Sequence, residues 1–188
     1  MKLLIYGSKE FASTVRELAR HSGFEVAGMV DDYTAGLGIL GGLKAVVRTH
    51  PPSDYGIAIA IGYNNLSARW AAWQNAKAAG YKAPPLIHPR AYVADTASIG
   101  DGAMVMAGAL VDVHARVGEL TVLWPAACIN HDSRVGENTF ICPNATICGD
   151  ASVGSHTFIG AGAVVVDHVT APPNSFIKAA ERYTGKLT

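Results

Sequence analysis

The sequence predicts two units of different construction: a small parallel α/β unit over residues 1–85, then a parallel β-helix over residues 86–188. Three observations carry this. The first region alternates apolar runs with helically spaced apolar residues, the order of a strand–helix–strand unit. Consecutive prolines in "KAPPLIHP" (82–89) then punctuate the chain, because proline cannot continue a helix. From Val93 an aliphatic residue returns every six positions without insertion, at Val93, Ile99, Val105, Val111, Val117, Leu123, Ile129, Val135, Ile141, Ile147, Val153, Ile159 and Val165. An internal period of six marks a β-helix, and a sandwich of short strands would not keep so long a run in phase.

The elements of the first unit follow in order. "KLLIYG" (2–7) is a buried-strand pattern ending in glycine. Phe11, Val15, Leu18 and Ala19 recur at helical spacing and Gly23 stops that helix. "FEVAGMVDD" (24–32) reads as a second strand, "YGIAIAIG" (55–62) as a third, and a helix runs from about Asn65 to Ala79. The C-terminal ends of parallel strands are where such units bind ligands. "GSKEFA" (7–12) occupies the place of a nucleotide-phosphate loop, but only Gly7 and Ala12 fit G-x-G-x-x-G/A, with Lys9 at the second glycine position. No nicotinamide cofactor is predicted. Asp31 and Asp32 at the end of the second strand can hold a ribose or base, or serve as ordinary turn residues. Arg69 can meet a phosphate or be solvated.

In the repeat, Ala127 and Ile129 are two apart and face inward on one strand, and the next inward residue is Ser133. Residues 130–132 therefore contain a bend, which puts Asn130, His131 and Asp132 outside the core. Glycines 100, 118, 136, 154 and 160 follow the aliphatic positions and are expected to supply the positive φ of the bends. Neutral imidazole suits a general base near pH 7, so His131 is a candidate catalytic base; its bland alternative is a turn-capping surface histidine, the reading given to His114, His156 and His168. Stacked at eighteen-residue separation, His114, Asp132, Asp150 and His168 should form one column at about 4.8 Å per step. Asp132 is thus either the orienting partner of His131 or a rung of a surface charge ladder. Cys148 beside Gly149 has no base at hydrogen-bonding spacing, so an acyl-cysteine route is rejected.

Fifteen basic and fifteen acidic residues cancel, and no field recruits nucleic acid or an anionic membrane. The three cysteines form no metal-ligand pattern and are expected as free thiols; no metal is predicted. The apolar core of "MKLLIYGSKE" is too short for a signal peptide, and no run is long enough for a membrane span. A cytoplasmic protein is expected.

The hexapeptide run, with "INHDSRVG" (129–136) as its most specific motif, resembles the hexapeptide acyltransferases. The whole chain is similar to their sugar-nucleotide acetyltransferases, related to the bacillosamine N-acetyltransferases and sialic acid O-acetyltransferases. The resemblance implies a Rossmann-like nucleotide-sugar-binding domain followed by a left-handed parallel β-helix, and a homotrimer with acetyl-CoA between neighbouring β-helices. It implies His131 as general base, Asp132 as its acidic neighbour, and the backbone N–H of Gly149 in "ICGDA" on the thioester carbonyl. Ala161 in "GAGA" (160–163) falls where the backbone meets the pantetheine arm. Asp31, Asp32 and Gly62 would line the nucleotide pocket, with Gly7, Ser8, Phe11, Asn64 and Arg69 around them. Two departures stand out: Lys9 and Glu10 replace a usual glycine pair, and "APPNSF" (171–176) is followed by "IKAAERYTG" (177–185) instead of Gly-x-Pro-Ala, leaving Lys178 to face the coenzyme phosphates. The implied reaction is acetyl-CoA-dependent N-acetylation of a nucleotide-linked amino sugar in bacterial surface-glycan synthesis. Sugar O-acetylation uses the same base and stays open, as does a non-catalytic trimeric binding or assembly protein.

Overall fold

The computed structural model describes residues 1–185. Its contacts divide into one compact unit ending at Leu86 and a second beginning at Ile87.

The first unit is a four-stranded parallel sheet in the order β3-β2-β1-β4, with β1 Lys2–Tyr6, β2 Val26–Val30, β3 Ile39–Gly41 and β4 Tyr55–Ile59. Leu3, Leu4 and Ile5 of β1 are fully buried, as a central strand covered on both faces requires. Helix α1 (Glu10–His21) buries Ala12, Val15, Leu18 and Ala19 along one stripe, while Phe11 is only half-buried. Strand β3 and helix α2 (Leu43–Thr49) lie between β2 and β4 and correct the expected order of strand, helix, strand, strand, helix. Four glycines between positions 36 and 42 blur the period there, and β3 is three residues long. Helix α3 (Leu66–Ala78) starts where Asn65 Oδ1 accepts the Ala68 N–H at 2.9 Å, a side-chain cap.

The second unit is a parallel β-helix whose two-residue strands stack into three sheets of five, six and six strands. Strand partners lie eighteen residues apart, as in Cys128↔Thr146 and Ile129↔Ile147, so three hexapeptides make one coil. The on-beat aliphatics point inward: Val105, Val111, Leu123, Ile129, Ile141, Ile147, Ile159 and Val165 have no exposed surface. The small residues four positions on, from Ala103 to Ala163, fill the gaps between them.

The bends correct one expectation. From Ile99 on, positive φ falls three residues after each inward position, at His114, Leu120, Ala126, Asp132, Asn138, Asn144, Asp150, His156, His168, Asn174 and Ala180, with glycine in that place at 102, 108 and 162. Left-handed backbone disfavours most side chains. From Leu120 on, each such non-glycine residue points its N–H at a carbonyl in the coil below, Asp132 to Val113 at 3.0 Å and Asp150 to His131 at 3.1 Å, while His114 donates to Thr96 Oγ1 at 3.1 Å, and these bonds offset the strain. Gly100, Gly118 and Gly136 do something else. A Cβ there would sit 2.6 Å from the backbone nitrogen of Glu119, Glu137 or Ser155 in the next coil. They permit close stacking rather than unusual φ. Gly118→Ala is therefore expected to cost about 1–3 kcal/mol as overpacking, read as a lowered urea midpoint at unchanged m.

Candidate active site

The corner after the Cys128–Ile129 strand is a turn closed by the Ser133 N–H donating to the Asn130 carbonyl at 3.3 Å, with the Ser133 hydroxyl on the same oxygen at 2.5 Å. Asn130 Nδ2 donates to the Ile147 carbonyl at 3.0 Å, tying the turn to the coil above. His131, between these anchors, is thrown outward and is about half exposed. Its Nδ1 lies 3.1 Å from Asp132 Oδ2, so Asp132 fixes the ring, and Nε2 is the edge left for a proton. The hydrogen bond from His131 holds the Asp132 carboxyl below its ordinary range, helped by the charge and hydrogen bond of His114 against a smaller burial effect. His114 Nδ1 stands 3.3 Å from Asp132 Oδ1. The carboxylate thus touches both His131 and His114, and the column expected of His114, Asp132, Asp150 and His168 from their eighteen-residue separation forms at this corner.

One coil up, Gly149 lies under the imidazole. A Cβ built there would be 2.5 Å from Cε1 and 2.6 Å from Nε2 of His131. Among the described residues no acceptor takes the Gly149 N–H. The equivalent N–H one coil below His131, that of Val113, is satisfied by Asp112 Oδ1 at 2.8 Å. The His131 ring and the unengaged Gly149 N–H therefore lie close together, groups of the kinds that can take a proton from a nucleophile and stabilise an oxyanion.

Ala161 and Lys178 are on a different corner. They precede the strand positions that follow them onto the face carrying Cys128, Thr146 and Val164, whereas His131 and Gly149 follow that face. Ala161 is exposed and its N–H meets no acceptor among the described residues. Lys178 donates its backbone N–H to Glu181 Oε2 at 2.9 Å, its backbone passes over Gly160, and the residue is exposed. Burial raises all three thiols, Cys142 to about 11, so none is poised as a thiolate.

In the first unit the C-terminal ends of β1, β2 and β4 gather Gly7, Ser8, Asp31, Asp32 and Gly62. Gly7 has φ +119 and a Cβ there would press on the Ala60 carbonyl at 2.7 Å, so this glycine is required by packing between strand ends. Ser8 Oγ donates to Asp31 Oδ2 at 2.5 Å, and Asp31 Oδ1 accepts the N–H groups of Tyr33 and Thr34, both at 2.9 Å. Asp32 accepts from the Tyr6 hydroxyl and, through Oδ1, from the Leu43 N–H at 2.8 Å at the start of α2. The Leu43 contact of Asp32 depends on α2, which apolar spacing does not reveal, and the Tyr6 contact on the pairing of β1 with β2, which sequence alone does not register. Gly62 and the exposed Asn64 open toward solvent. Arg69 is a correction: it has no exposed surface, and burial lowers its guanidinium to about 9, so it is neither solvated nor presented to a phosphate.

Burial pushes the Asp31 carboxyl up, but the bonds from Ser8, Tyr33 and Thr34 outweigh it and leave it below the ordinary range. A folded value below the unfolded one adds stability above the unfolded value, lost as pH falls through the folded one. Asp31→Asn is expected to flatten the acid limb of a plot of urea midpoint against pH, leaving the neutral-to-alkaline part parallel to wild type.

Residues 2–73 match the PglD N-terminal domain and residues 132–167 the bacterial transferase hexapeptide (six repeats). The acetyltransferase domain of PglB from Neisseria gonorrhoeae FA1090, solved with acetyl coenzyme A, is 28% identical with a TM-score of 0.83, covering 95% of this chain and 88% of that one. PerB from Caulobacter crescentus, solved with CoA and GDP-perosamine, is 28% identical with a TM-score of 0.75, covering 96% and 95%. A mutant of GDP-perosamine N-acetyl transferase from the same organism, with the same two ligands, is 26% identical with a TM-score of 0.76, covering 96% and 94%. No curated protein matches the chain by sequence. No helix among the described residues is long and apolar enough to cross a membrane.

Proposed function

We propose that this chain, which matches the PglD N-terminal domain and the bacterial transferase hexapeptide, catalyses acetyl-CoA-dependent N-acetylation of a nucleotide-linked amino sugar. The observation that carries the mechanism is the His131 ring held by Asp132 over Gly149. The sugar amine attacks the thioester carbonyl carbon and passes its proton to His131 Nε2. The new oxyanion takes the Gly149 N–H. Collapse breaks the C–S bond, and the departing coenzyme thiolate receives the proton from the imidazolium. Asp132 keeps the ring in the tautomer that starts the cycle and stabilises the cation that forms midway.

Ala161 and Lys178 lie across the Cys128–Thr146–Val164 face from His131, and a coenzyme touching both groups from one chain would have to span that face. Packing copies side by side brings the Ala161 edge of one to the His131 edge of another, which supports a homotrimer with acetyl-CoA at each junction. The nucleotide belongs at the strand ends of the first unit, with Ser8, Asp31, Gly62 and Asn64 as its candidate contacts and the surface-glycan precursors of the perosamine and bacillosamine type as its class.

The test is thiol release from acetyl-CoA against UDP-, dTDP- and GDP-linked 4-amino sugars and free sialic acid. Turnover with one amino sugar, absent with sialic acid, bears the proposal out. Turnover only with sialic acid would replace it by O-acetylation, and silence without coenzyme binding would favour an assembly protein.

A further inference from the structure

His114 stands one coil below His131, and its backbone N–H is fixed by Thr96 Oγ1 at 3.1 Å. Its Nδ1 reaches Asp132 Oδ1 at 3.3 Å while His131 Nδ1 reaches Oδ2 at 3.1 Å, so one carboxylate is shared, one oxygen each, by two imidazoles. All three residues sit on neighbouring bends, and the left-handed φ of 58° at both His114 and Asp132 aims these side chains along the column rather than into the coil. Along the same column His168 Nδ1 lies 3.9 Å from Asp150 Oδ2 in the coils above, Asp112 accepts the Val113 N–H beside His114, and the exposed Arg116 and Arg134 follow two residues after His114 and Asp132. Among the described residues, the positive charges that act on the Asp132 carboxyl are those of His131 and His114.

We propose that His114 is a positioning residue for the reaction: by donating Nδ1–H to Asp132 it holds the carboxylate on His131, and when protonated it divides that carboxylate's charge between two rings. This rests on His131 as base. With His114 neutral, the whole carboxylate charge stabilises the imidazolium formed during turnover. With His114 cationic, a second positive charge at the shared carboxylate disfavours protonation of His131. Because both rings meet the one carboxylate, a charge on His114 reduces what that carboxylate can offer to His131.

Two variants separate the effects. His114→Gln keeps an N–H donor for Asp132 and removes the titration, so the acidic limb of kcat/KM should move to higher pH by about half a unit at low salt, with the alkaline plateau within about twofold of wild type. The displacement should shrink at 1 M salt, because the groups are exposed. His114→Ala removes the donor, so kcat should fall about three- to tenfold with KM for both substrates unchanged. The His131 ring signals, assigned by their loss in His131→Ala, should titrate at higher pH in His114→Gln in the absence of substrate. A superimposable profile and an unmoved ring titration in His114→Gln would overturn the proposal, as would a loss in His114→Ala carried by KM alone. A moved ring titration in an enzyme whose turnover survives His131→Ala would overturn the base assignment instead, and with it the catalytic part of the His114 role.

Discussion

Replacing His131 by alanine is expected to lower kcat by about 10²- to 10⁴-fold, with KM for acetyl-CoA and for the sugar nucleotide little changed. The ring lies on an exposed bend and contributes nothing to the aliphatic core, so the thermal midpoint should stay close to wild type. The loss should fall on kcat because the imidazole accepts a proton only as the amine attacks, an interaction made in the transition state and not in the ground state. Steady-state kinetics with the preferred acceptor, beside a melting curve, checks both parts. A variant that retained turnover would leave the chemistry to the Gly149 N–H and to proximity alone.

Gly149→Ala is expected to be nearly as damaging, although the substituted methyl group is small. Its Cβ would lie 2.5 Å from His131 Cε1 and 2.6 Å from Nε2, so the imidazole has to swing away, and Asp132 then loses its grip on Nδ1. The backbone at Gly149 does not need positive φ, so alanine folds there and the N–H for the oxyanion survives. A misplacement of about 1 Å at a catalytic group costs on the order of 10²-fold, and that is the loss expected in kcat/KM, with less than about 1 kcal/mol in stability. The double variant His131→Ala with Gly149→Ala should lose little beyond His131→Ala alone, since a displaced ring and an absent ring are equivalent to the substrate. Additive losses would show that Gly149 acts by another route.

Much of this was legible in the residues. Thirteen aliphatic positions in phase are enough for the β-helix, since no other arrangement returns one inward side chain every six residues. His131 and Gly149 are eighteen residues apart, which stacks them; how near the ring comes depends on its rotamer, which period does not encode. The bend glycines were assigned the right place with the wrong cause, because sequence shows where glycine occurs but not whether φ or a neighbouring backbone demands it. In the first unit β1, α1 and α3 follow from apolar spacing, whereas β3 and α2 are hidden among glycines, and the first N–H of α2 is held by Asp32. The burial of Arg69 is a tertiary fact that its position on α3 does not announce.

The eighteen-residue coil also gives the chain a reading frame in space. His131 and Gly149 meet only because the path between them makes one complete circuit. Deleting a single residue between positions 133 and 148 would turn every later side chain out of phase, sending inward aliphatics to the surface and the glycine away from the ring, much as a lost nucleotide scrambles a message downstream. Adding one residue back at a corner within the same circuit would restore the phase. Length changes can therefore accumulate at corners, or arrive as whole circuits outside the stretch from 131 to 149, while that one circuit must keep its count.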